Sequence, residues 1–168
     1  MATTFTLIKT YTLASAAASF DFTSIPSTYT DLVVKLSVRC SDAAQDRQVF
    51  MSYNGSGTSK ASRVLRGSGS AATSYTSTNM ETSRADGAGS TSSTFSNIEV
   101  YIPNYAGSTY KSASSDGVTE NNATSAYAEL AAHLWSNINA INQITFTVDG
   151  GSNFVQYSTA SLYGILKA

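Results

Sequence analysis

The feature that most constrains this chain is a period-two alternation of apolar and polar residues that recurs along its whole length. The clearest stretch is "DLVVKLSVRC", where Leu32, Val34, Leu36, Val38 and Cys40 share one side and Lys35, Ser37 and Arg39 the other. Successive side chains of an extended strand point to opposite faces, so this period predicts a strand with one face buried. The same pattern places Phe20 with Phe22, Val49 with Met51 and Tyr53, Ile98 with Val100 and Ile102, and Ile144 with Phe146 and Val148. Near the start, Phe5, Leu7, Tyr11 and Leu13 alternate with Lys9 interrupting them.

Between these runs stand turn signals. Asn54-Gly55 and Asp149-Gly150 are hairpin-type dipeptides, and the second predicts that residues 145–165 close the chain as a hairpin that covers an open sheet edge. Residues 54–60, 67–74, 82–93 and 106–125 have the Gly, Ser and Thr content of loops. One stretch reads two ways. In "SAYAELAAHLWSNI", residues 125–138, Tyr127, Leu130, Ala131 and Leu134 fit a helical spacing. The same residues alternate, with Ala126, Ala128, Leu130, Ala132 and Leu134 against Tyr127, Glu129, His133 and Trp135. The surrounding strands favour the second reading. About eight strands without helices to cover a parallel sheet predict an all-β chain, a jelly-roll or two-sheet antiparallel β-sandwich, over a single domain of residues 1–168.

Composition narrows function by exclusion. The charged fraction is 12%, about half of the ~25% usual for globular chains, and small hydroxyl and amide residues take its place. Such a surface is cheap to desolvate against another protein. Ten Lys and Arg stand against eleven Asp and Glu, with no basic stripe to neutralise phosphates, which argues against a nucleic-acid partner. No segment approaches the ~20 apolar residues of a membrane helix, and the opening "MATTFTLIKTYTLAS" lacks a secretory apolar run. The expectation is a chain folded in a cytoplasm, with no membrane partner.

The search for chemistry finds little. Cys40 is the single cysteine, so no internal disulfide forms, and its place in an alternating run marks it as a small core residue. His133 is the one candidate base, with no nucleophile-elbow pattern around any serine. One His and one Cys exclude a usual zinc site. Asp42 with Asp46, and Asp149 with Asn153, resemble fragments of calcium loops without the repeated acidic spacing of an EF-hand. The reading is that the chain is not an enzyme and takes no cofactor. Tyr53, Tyr75, Tyr105 and Tyr110 lie in or beside polar stretches, and are the candidates to stack on a sugar ring or pack in a subunit interface.

Three stretches carry a resemblance. They are "F-x-x-I-P-x-x-Y-x-D-L" (Phe22, Ile25, Pro26, Tyr29, Asp31, Leu32), "I-P-N-Y-A-G" from Ile102 to Gly107 followed by Tyr110-Lys111-Ser112, and the terminal "S-T-A-S-L-Y-G-I". In this order they resemble virion structural proteins of tailed bacteriophages, of the type seen in marine and cyanobacterial phages. The resemblance implies a jelly roll assembled as a homotrimer on the virion, and no enzymatic residues. Two functions follow from it. One is a capsid decoration (cement) protein, built in the bacterial cytoplasm and seated on the major capsid protein. The other is a tail-fibre or appendage domain that binds host surface glycans.

Overall fold

In the computed structural model, which describes residues 4–122 and 125–166, the alternating runs become strands of two antiparallel sheets. The twelve strands among the described residues are β1 (Phe5–Thr12), β2 (Ser19–Phe22), β3 (Asp31–Val38), β4 (Asp46–Tyr53), β5 (Lys60–Gly67), β6 (Ala72–Ser77), β7 (Met80–Asp86), β8 (Ser96–Ile102), β9 (Lys111–Val118), β10 (Ala128–Trp135), β11 (Ile144–Val148) and β12 (Thr159–Ile165). One sheet has eight strands in the order β1-β12-β3-β8-β9-β10-β5-β6, and the other has four in the order β2-β11-β4-β7.

The pairing is nested. Antiparallel partners are β1 with β12, β2 with β11, β3 with β8 and β4 with β7. Those eight strands divide between the sheets as a jelly roll does. Two further hairpins, β5–β6 and β9–β10, extend one of the sheets from four strands to eight. Under the jelly-roll half lies one apolar core that includes Phe20, Phe22, Leu32, Leu36, Met51, Ile98, Phe146 and Phe154. Cys40 belongs to it at 1% exposure, and burial pushes its thiol pKa up.

Several expectations change. The stretch 145–165 is not a hairpin: β11 and β12 lie in different sheets. Asp149–Gly151 form a single 3-10 turn, with Gly150 and Gly151 at φ 71° and 72°, and the chain then crosses the core at Phe154, which bridges both Ala17 and Cys40. The last strand guards no edge, because β12 runs between β1 and β3. Asn54-Gly55 does make a tight turn, closed by Ser56 N–H donating to Tyr53 O at 2.8 Å, but it sends the chain from one sheet to the other instead of into a paired strand. The polar stretches are strands in part: residues 60 and 67 belong to β5, 72–74 to β6, 82–86 to β7 and 111–118 to β9, and the other described residues of these stretches are turns or loops. Ala123 and Thr124 of the fourth stretch lie outside the described residues, as do residues 1–3 and 167–168 of the 1–168 span. Residues 128–135 are the strand β10.

Lys9 stays on the side of Tyr11, with its Nζ 5.3 Å from the centre of that ring. A bulge between Leu7 and Lys9 shifts the register, so Phe5 and Leu7 face out while Ile8, Tyr11 and Leu13 pack on the core.

The three resembling motifs meet at one end of the sandwich. The ring of Tyr29 lies where a side chain at residue 164 would stand, so only glycine fits there in β12. Tyr105 O–H donates to the carbonyl of Pro26. Asp31 accepts from Tyr101 O–H at 2.9 Å and from Asn104 N–H at 2.8 Å. Lys111, 1% exposed, points its Nζ at the carbonyls of Gly107 (2.6 Å) and Ile138 (3.4 Å). In this chain the motifs pin loops to strand ends.

Candidate interaction surface and the polar interior beneath it

Strand β10 inverts the usual pattern. Glu129, Ala131, His133 and Trp135 are buried, while Ala128, Leu130, Ala132 and Leu134 are exposed. The inward charges are satisfied by a network under the added hairpins. Arg84 on β7 pairs with Asp46 on β4, with Glu129 Oε1 at 3.3 Å and with Glu81 at 3.9 Å. Ser83 O–H donates to Glu129 Oε2 at 2.9 Å, Ser125 O–H to Asp46 at 2.8 Å, and Tyr75 O–H to Glu81 at 2.6 Å. Arg66 stacks over the Tyr127 ring at 4.5 Å and the Tyr75 ring at 5.5 Å, closing the network from β5.

Three carboxylates around one guanidinium set the local electrostatics. Burial works against the Arg84 charge, and the carboxylates of Asp46 and Glu129 outweigh it, so its pKa rises. Burial raises Glu81 against the opposing pull of Tyr75 and Arg84. It also raises Tyr75 to about 12, with the Glu81 carboxylate adding to the effect. Removing one member of such a buried set strands the others and typically costs about 3–5 kcal/mol.

His133 makes a pair that sequence could not reveal. Its Nε2 lies 2.9 Å from Ser115 Oγ, and Ser115 O–H donates to Thr82 O at 2.6 Å. The hydroxyl proton is thus committed to a carbonyl, and the imidazole donates to the hydroxyl. Nucleophile activation needs the reverse direction. Nδ1 has no hydrogen-bond partner among the described residues, and the residue is 4% exposed. Burial pushes its pKa down to about 4. The contact is buried, although His133 also lines the hollow on β5 and β10 described below.

Of the four tyrosines read as contact candidates, two are core residues. Tyr53 is 1% exposed and meets Trp135 edge-on with ring centroids 5.6 Å apart. Tyr105 is fully buried. Both flank loops in sequence but turn inward, so neither ring is open to a sugar or a partner. Tyr75 is half-buried on β6, with its hydroxyl spent on Glu81. Tyr110 is exposed, just before β9. The four do not form one site. Asp42 and Asp46 also part company: Asp42 pairs with Arg47 at 2.8 Å and Asp46 with Arg84.

What does form a continuous surface is the outer face of β5 and β10. Their register sets Leu65 beside Leu130 and Ala61 beside Leu134, and these three leucines are among the most exposed large apolar residues of the chain. A hollow of about 470 Å³ opens there, lined by Ala61, Arg63, Thr76, Ala132 and Leu134 among others. The alternation of residues 125–138 already separated Leu130 and Leu134 from Glu129 and His133. It carried no sign of which set faces in, because charged residues inward is the rarer choice. No protein-family model matches this chain, and neither does any curated protein.

Proposed function

We propose that the chain is a structural protein of a tailed-bacteriophage virion, a capsid decoration protein that works as a homotrimer on the major capsid protein and is assembled in the bacterial cytoplasm. The observation that carries the reading is the inverted strand β10, which holds Glu129 and His133 inside and offers Leu130 and Leu134 outside. A leucine row on the outside of a sheet is unfavourable in water and favourable once covered by protein. The 12% charged fraction lowers the cost of covering the surrounding surface as well. The order of the three motifs, now seen to be loop pins of a jelly roll, fits the same family of virion proteins.

A second reading, a tail appendage that binds host glycans, draws on the exposed ring of Tyr110. Quantitative mass spectrometry of purified virions separates the two. A copy number comparable to that of the major capsid protein is expected for decoration; a small fraction of it would move the assignment to an appendage. Light scattering of the isolated chain at micromolar concentration is expected to give a trimer, and a monodisperse monomer would count against both.

A further inference from the structure

Asn54 is the one asparagine of the chain that is followed by glycine. In a flexible chain that step is chemically unstable. The glycine backbone nitrogen attacks the side-chain amide carbon of the asparagine, and the missing Cβ leaves the approach unhindered. Gly55 is exposed, and a Cβ built on it would meet nothing within 4 Å, so water reaches the step. Asp86, Asp116 and Asp149 also precede glycine, but an ionised carboxylate is a poor target for a backbone nitrogen.

The fold engages the Asn54 side chain elsewhere. Its Nδ2 donates to Ala140 O at 2.8 Å, and its Oδ1 accepts from Asn142 N–H at 2.9 Å and from Gln143 N–H at 3.1 Å. The Asn54 backbone N–H donates to Gln143 O at 3.0 Å. One side chain thus satisfies three backbone groups of residues 136–143, the segment that joins β10 to β11. The same segment is tied to the motif end of the sandwich: Ile141 N–H donates to Tyr105 O at 2.9 Å, and Ile25 N–H to Asn142 O at 3.0 Å. Ile141 anchors it in the core at 1% exposure. Ring closure on Gly55 would make the amide carbon tetrahedral and expel Nδ2. The planar hold on this segment has to be released first.

We propose that Asn54–Gly55 is a deamidation site gated by the 136–143 segment. When the segment lifts, the Gly55 nitrogen gives up its proton to solvent and bonds to Asn54 Cγ. The Cγ–Nδ2 bond breaks, and Nδ2 leaves as ammonia after taking a proton back from water. Water then adds across one of the two C–N bonds of the cyclic imide, which yields aspartate or isoaspartate at position 54. Water is the only co-reactant. Neither product carries the Nδ2 donor, so Ala140 O is left facing a carboxylate oxygen and the hold does not re-form as before. The conversion is irreversible and records how often the segment has opened.

The test follows residue 54 in the full chain by peptide mass spectrometry, with isoaspartate separated from aspartate by chromatography. Folded protein and protein unfolded in guanidinium chloride are incubated at the same mildly alkaline pH and temperature. The unfolded chain is expected to convert Asn54 ahead of its other asparagines. The folded chain should convert it about 30-fold more slowly, since three side-chain hydrogen bonds must open first. Ile141→Ala, which loosens the segment from the core, is expected to speed conversion in the folded protein, and the milder Ile141→Val to speed it less. Ile98→Ala, a core change on β8, is expected to leave the rate near that of the parent. Equal rates in folded and unfolded chains would overturn the gate, and an unconverted Asn54 in the unfolded chain would overturn the site. Folded Ile141 variants with the parent rate, or an equal acceleration by Ile98→Ala, would remove the 136–143 segment from the proposal.

Discussion

At the scale of single residues, polar groups decide how half of this interior is held. His133 lost its solvent on folding and gained one hydrogen bond, from Nε2 to Ser115. Its pKa falls from 6.5 to about 4 because burial disfavours the imidazolium. The sign of the consequence is fixed by proton counting. Between those two values the unfolded chain binds a proton that the folded chain refuses, so stability falls as pH is lowered through that window. Glu81 acts the other way, since its raised pKa lets the folded state take a proton more readily than the unfolded state does as pH falls. Comparison with a variant cancels that shared background. At fixed protein concentration, His133→Gln should lose less stability than the parent between pH 8 and pH 5, by about 2 kcal/mol. Urea midpoints at the two pH values measure this, and identical losses in both proteins would show that His133 does not titrate as its burial implies.

At the scale of elements, the strands that were legible are those whose burial is apolar. Alternation announced β3, β4, β8 and β11 because Val34, Met51, Val100 and Phe146 face a hydrocarbon core. It missed β7 and β9, whose buried faces are Thr82, Ser83, Ser115 and Lys111; composition alone reads those residues as loop. Strand β7 buries nearly all of its residues, and Thr82, Ser83 and Arg84 are satisfied by Val49 O, Glu129 and Asp46 across the interior. Polar burial of this kind needs partners distant in sequence, so no local window can show it. The candidate surface was obscured for the same reason: Tyr53 and Tyr105 lie beside loop-like signals yet end inside, and the outward leucines of β10 are recognisable only once Glu129 is seen to be paired. Close packing also sets the terminal motif. A methyl group at Gly164 would be driven into the Tyr29 ring, and overpacking of this kind costs about 1–3 kcal/mol. Gly164→Ala should therefore lower the unfolding free energy from urea titration by that amount, while Gly164→Ala combined with Tyr29→Ala should lose less than the sum of the two changes. Strict additivity in that cycle would mean that ring and glycine are not in contact.

At the scale of the whole molecule, the jelly roll and its extension are held by different physics. Strands β3 and β8 lie inside the large sheet over the apolar core, with β12 beside β3. Strand β6 is an edge, hydrogen-bonded on one side only to β5, and its residues are exposed or half-buried. Beneath this end sit Glu81, Arg84 and Glu129, with the rings of Tyr75 and Tyr127 against the arginines. Apolar burial contributes about 25 cal/mol per Å², and a desolvated ion pair contributes far less net stability than its contacts suggest. The β5–β6 end should then open at lower free energy than the rest. In native-state hydrogen exchange, amides of β6 are expected to exchange first, β5 next, and β3, β8 and β12 last, at the rate of global unfolding. Uniform exchange along the whole chain at the global rate would show instead that the added hairpins and the jelly roll unfold as one unit, and that the ion-pair interior binds the two as firmly as the apolar core binds the strands around it.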